Sequence, residues 1–98
     1  MNVFKRISAA KAKEILNDDN AVIVDVRDSE SYKEGHASGA IHLSQDSIFD
    51  FIQKTDFSHP VLVMCYHGNS SQSVAMYLSQ QGFQEVYSID GGYEAWDE

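Results

Sequence analysis

Val61-Leu62-Val63-Met64-Cys65-Tyr66-His67-Gly68-Asn69-Ser70-Ser71, running on into Gln72 to Gln81, is the stretch on which the fold turns. Val61 to Met64 is an unbroken apolar run, so it predicts a strand buried on both faces. A loop of small and polar residues follows. Beyond it the stripe of Val74, Ala75 and Leu78 predicts a helix, which Gly82 is placed to stop. Strand, short loop and helix in succession form the repeating unit of a parallel sheet.

The same alternation recurs on either side. Phe4 to Ile7 reads as a short edge strand, Ser8 as the N-cap of a helix from Ala9 to Leu16, and Asn17-Asp18-Asp19-Asn20 as a turn. Ala21 to Val26 is a second strand buried on both faces, and Ser29 to Glu34 makes one or two helical turns ended by Gly35. Ala40 to Leu43 is a short strand. Ser44 is placed to cap a helix through Lys54 that carries Ile48, Phe51 and Ile52 on one face. Val86 to Ile89 is the last strand, followed by Asp90-Gly91-Gly92 and a short helix from Tyr93 to Trp96. The pattern predicts an α/β fold: one domain over residues 1–98, with a mainly parallel central sheet flanked by helices on both faces. Sites in such sheets form beyond the carboxyl ends of the strands, and Cys65 stands at that address.

Composition narrows the chemistry. With 43% hydrophobic residues in 98, the chain builds a core without staples, and its single cysteine excludes an internal disulfide and a cysteine-type zinc site. A net charge of −8 argues against nucleic acid, which requires a basic face. No apolar run reaches the ~18 residues of a membrane span, and the residues after Met1 form no signal-peptide core. A soluble, cytoplasmic domain is expected. His36, His42, His59 and His67 lack the tight helical spacing of metal ligands, so neither a metal nor a cofactor is expected. All seven Lys and Arg lie at or before Lys54. Any anion chemistry after that point rests on backbone N–H groups, hydroxyls, amides or histidine.

The loop after Cys65 suits such chemistry. Gly68 and Asn69 tolerate the backbone angles of a tightly curled loop, and Ser70 or Ser71 is placed to cap the following helix. A loop closed around the sulfur would aim several N–H groups and a helix N-terminus at it, lowering the thiol pKa and cradling an anion. A lone cysteine at a strand end is in general more often a small buried hydrophobe. The loop composition and the helix behind it favour a reactive thiolate here. A cysteine phosphatase or arsenate reductase would need an Arg just past the loop. The two available positions hold Ser70 and Ser71, which disfavours phosphate hydrolysis. Asp25 and Arg27 flank a buried strand end and read as structural, tying it to neighbouring loops by charged hydrogen bonds. His67, the one potential cation of the loop, either favours the thiolate or merely faces solvent.

Three motifs in order resemble the rhodanese family, and within it the single-domain thiosulfate sulfurtransferases of the GlpE type. Val24-Asp25-Val26-Arg27-Asp28, with Tyr32, Gly35-His36-Ala37 and Gly39-Ala40-Ile41-His42-Leu43, is similar to the family's N-terminal signature. Gly91-Gly92-Tyr93-Glu94-Ala95-Trp96 is similar to its C-terminal signature, and the loop from Cys65 to Ser71 has the sulfurtransferase length. Many rhodaneses carry Arg where this chain has Ser70; the GlpE-type loop lacks it, which implies weaker thiosulfate binding.

The resemblance implies a ping-pong transfer with Cys65 as nucleophile. Thiosulfate or another sulfane donor would load Cys65 as a persulfide. Cyanide, a small thiol or a thioredoxin-like protein would then remove the sulfur. Tyr66, His67, Gly68, Asn69, Ser70 and Ser71 would bind the substrate through backbone N–H groups, with the hydroxyls of Ser70 and Ser71 helping to stabilise the leaving sulfite. The resemblance reads His36 and His42 as supports of the fold, and Tyr93 and Trp96 as packing beneath the site. A monomer or weak homodimer is expected. The rival reading is a protein-to-protein persulfide relay with little small-molecule turnover.

Overall fold

The computed structural model describes residues 3–97; residues 1, 2 and 98, at the ends of the expected domain, lie outside the described residues. The elements run β1 (Lys5–Ile7), α1 (Ala9–Ile15), β2 (Val22–Asp25), α2 (Ser29–Glu34), β3 (Ile41–His42), α3 (Ile48–Lys54), β4 (Val61–Met64), α4 (Ser70–Gln81) and β5 (Val86–Ile89), then a 3-10 turn (Tyr93–Ala95). The five strands form one sheet in the order β1-β5-β4-β2-β3, and every pairing is parallel.

The strands alternate side chains between two apolar layers, as the pleat requires. Val24, Val61, Val63 and Val86 face one side, where Phe51 of α3 and Ala75 and Leu78 of α4 cover them. Ile23, Leu62, Met64 and Ile89 face the other, against Ala12 of α1, Ala37 and the partly buried Tyr32 of α2. The expected α/β fold with helices on both faces is thus the observed one. β2 leads outward to β3 and β4 leads the opposite way to β5, so the connections leaving β2 and β4 diverge. A crevice opens at such a switch point, beyond the strand ends.

The expected strands and helices all form, with corrections at two helix starts. Ser44 does not cap α3. Its carbonyl accepts from the N–H groups of Ser47 and Ile48 in a turn, and Ser47 is the N-cap residue. Nor does Ser70 or Ser71 cap α4: the helix begins at Ser70, and Asn69 occupies the cap position without a side-chain bond. Ser8 does cap α1, accepting from the Lys11 N–H at 3.1 Å. Asp28 caps α2 in the same way, from the Ser31 N–H at 3.1 Å.

Candidate active site

Cys65 follows β4 directly and is 4% exposed. The chain curls around its sulfur: the Gly68 N–H donates to Sγ at 3.0 Å, and the Ser71 hydroxyl lies 3.3 Å away. That hydroxyl accepts from a protonated thiol and donates to an ionised one. Burial alone pushes the thiol pKa up; the Ser71 hydroxyl and the N–H groups of Ser71, Gly68 and His67 more than offset it, and the thiol is held below its ordinary value. The largest contributions that lower it come from neutral donors. The N-terminus of α4 adds the positive end of its dipole.

The curl depends on glycine at defined places. Gly68 has φ +96, and a Cβ there would lie 2.8 Å from the Gly91 nitrogen. Gly92, at φ +57, lies against the loop so closely that a Cβ would sit 2.3 Å from the Cys65 carbonyl oxygen. That approach lets the Tyr93 N–H donate to the Cys65 carbonyl at 2.7 Å and the Glu94 N–H donate to Tyr66 at 3.1 Å. From the other side, the Gln72 side-chain amide donates to the Gly68 carbonyl at 2.9 Å. Both ends of the loop are therefore pinned.

The expected site residues separate into two groups. His67, Gly68 and Ser71 turn N–H groups to the sulfur. Tyr66, Asn69 and Ser70 are exposed, and Tyr66 and His67 stack obliquely with ring centroids 4.7 Å apart. The His67 side chain does not reach the sulfur; its Nδ1 lies 3.0 Å from the Glu94 carboxylate in a solvent-exposed pair. The Ser71 hydroxyl, expected beside a leaving group, is instead fully buried between Sγ and Ser88 Oγ, the latter 2.8 Å away. Ser88, Gln72 and Glu94 are the participants that sequence reasoning missed. Ser88 carried no signal, being one serine in a strand, whereas Gln72 sits one helical turn beyond Gly68.

Just beyond β2, the neighbouring strand, Arg27 Nη2 donates to Asp25 at 2.7 Å and Nε donates at 3.0 Å. Nη2 also donates to the Gly35 carbonyl at 2.7 Å, and the guanidinium lies 4.1 Å from the Tyr93 ring centroid. The hydrogen bond that Arg27 donates to Asp25 raises the Arg27 pKa, against the opposing effect of burial. A cavity of about 190 Å³ opens above this pair, lined by Arg27, Ser31, Glu34, Gly35, Tyr66 and Tyr93. His42 Nε2 bonds the Arg27 carbonyl at 2.7 Å and His36 Nδ1 bonds the Tyr32 carbonyl at 2.8 Å, contacts of the fold-supporting kind that the resemblance implied.

Comparison with known proteins agrees with this geometry. Residues 8–98 match the model of the rhodanese-like domain. A protein named thiosulfate sulfurtransferase GlpE from Ectopseudomonas mendocina is 55% identical over 96 residues, 98% of this chain and 87% of that one. A protein of the same name from Pseudomonas putida is 52% identical over the same shares. The crystal structure of a rhodanese-like domain protein from Staphylococcus aureus superposes with a TM-score of 0.82 at 27% identity, covering 97% of this chain and 93% of that one. The chain belongs to the rhodanese-like domain family.

Proposed function

We infer that the chain is a thiosulfate sulfurtransferase with Cys65 as its nucleophile. The observation that carries this reading is the set of N–H groups and one hydroxyl converging on Cys65 Sγ. The two relatives of that name, at 55% and 52% identity over nearly the whole chain, support it.

The reaction follows from the donors. The Cys65 thiolate attacks the outer sulfur of thiosulfate, the bond between the two donor sulfurs breaks, and sulfite leaves with the electron pair. The persulfide anion left on Cys65 carries the same single charge as the thiolate it replaces. N–H groups of the loop can follow that charge as it moves outward by one sulfur atom. Cyanide or a thiolate then attacks the outer persulfide sulfur, releasing thiocyanate or a new persulfide and restoring the Cys65 thiolate. Tyr66, Asn69 and Ser70, exposed on the loop, meet the donor and acceptor. One chain supplies every group around the sulfur, which suits a monomer or a weak homodimer. A nucleophilic thiol must stay reduced, which suits the cytoplasm.

A second reading, persulfide relay between proteins, has one observation in its favour. Two guanidiniums among the described residues are already paired: Arg27 with Asp25, and Arg6 with Asp90 at 2.8 Å. A small dianion therefore competes with a carboxylate for either one.

Mass spectrometry of the intact protein after incubation with thiosulfate tests the main reading. The expected result is a gain of one sulfur atom, absent in Cys65→Ser and removed by cyanide. A protein that stays unmodified by thiosulfate yet accepts sulfur from a protein persulfide would establish the relay instead.

A further inference from the structure

Ser88 is the one polar side chain that β5 buries completely. It stands in register with Val63 of β4, on the face where Val86, Ala75 and Leu78 make an apolar layer. Alanine or valine would fill such a position without any polar group to satisfy, and a buried hydroxyl is unfavourable there unless it is bonded. Its bond goes to Ser71 Oγ at 2.8 Å, and Ser71 in turn lies 3.3 Å from Cys65 Sγ. Serine, serine and sulfur form a buried chain leading to the reacting atom.

A hydroxyl has one proton to donate, so the chain has a direction. When Cys65 is ionised, Ser71 donates to the sulfur, and Ser88 donates to the oxygen that Ser71 has left free to accept. Run the other way, with the thiol donating to Ser71 and Ser71 to Ser88, the chain leaves the Ser88 proton to find another acceptor inside an apolar layer. The direction ending in the thiolate uses both protons within the chain. We propose that Ser88 is a positioning residue, holding the Ser71 hydroxyl as a donor toward the sulfur and so favouring ionised Cys65.

Charged groups do not supply this effect in its place. Residues 70–81 of α4 include no acidic or basic side chain. At the end of β2 Asp25 pairs with Arg27 just beyond it, and after β5 Asp90 is paired with Arg6. Glu94 and His67 pair with each other in solvent; Tyr66, Tyr77, Tyr87 and Tyr93 are the remaining titratable groups of the loop, α4, β5 and the 3-10 turn. The proposal rests on Cys65 being the nucleophile, and its test reads the thiolate itself rather than sulfur transfer. A failure to turn over thiosulfate would therefore leave the test intact.

The experiment is the pH dependence of Cys65 alkylation by iodoacetamide in the wild type, Ser88→Ala, Ser71→Ala and the double variant, with Tm measured for each. Ser88→Ala is expected to raise the midpoint by about 0.5 pH unit. In the Ser71→Ala background the same substitution is expected to add nothing, because the link to the sulfur is already cut. Ser88→Thr, which keeps the hydroxyl, is expected to bring the midpoint back toward that of the wild type. An unmoved midpoint in Ser88→Ala overturns the proposal. So does an equal shift with and without Ser71, which would mark a general packing effect.

Discussion

Two adjacent strand ends hold two buried groups in opposite ways. At the end of β2, Asp25 and Arg27 meet charge with charge, at side-chain exposures of 0% and 4%. At the end of β4, Cys65 is met by N–H groups and a hydroxyl. The strands are neighbours, and Asp25 is in register with Met64, one residue short of Cys65. The difference separates structure from chemistry. The ion pair cancels its own charges, and Arg27 Nη2 also holds the Gly35 carbonyl in place. The dipoles around Cys65 stabilise negative charge without cancelling it, so the sulfur keeps a charge with which to attack.

Substitutions at the two ends should therefore fail differently. Cys65→Ser is expected to abolish sulfur transfer while leaving the urea midpoint near that of the wild type, since the oxygen fits the same space. Asp25→Ala should do the reverse. It leaves the Arg27 guanidinium buried without its counter-charge, and urea unfolding followed by Trp96 fluorescence should show a loss of about 3–5 kcal/mol. If Asp25→Ala kept its stability and lost only activity, the contrast between the two ends would collapse. Gly92→Ala tests where the two regions join, because the loop leans on Gly92. Its strained backbone and the overlap with the Cys65 carbonyl should cost about 3 kcal/mol and lower transfer along with stability. The smallest effect belongs to His67→Ala. An exposed pair with Glu94 is worth little, and thiosulfate KM should stay within about twofold of the wild type. A much larger rise in KM would put a working cation in the loop after all.

The sheet was legible because the apolar runs Val22 to Val24 and Val61 to Met64 are continuous, a pattern that parallel strands covered on both faces require. Cys65 was legible because the site address follows from that topology. The two misplaced caps have different causes. A serine before a helical stripe is a good cap by local preference, but a long-range contact or a competing local turn can take its hydroxyl elsewhere. Ser71 is drawn inward by Cys65 and Ser88, and Ser44 is held in a turn with Ser47. The roles of Ser88, Glu94 and Gly92 depend on contacts across 17, 27 and 27 positions of the chain. No local spacing encodes such contacts.

The central claim is that neutral donors hold Cys65 as a thiolate, and alkylation of the wild type by iodoacetamide at varied pH and salt tests it most directly. A folded pKa lowered below the unfolded one means that ionisation favours the native state above the unfolded pKa. That contribution is lost as pH falls through the folded value. The predicted midpoint lies below that of the urea-unfolded chain and does not rise with added salt, since N–H groups and hydroxyls are not screened as an exposed cation would be. A midpoint at or above the unfolded value, or one that climbs as salt is added, would contradict the account.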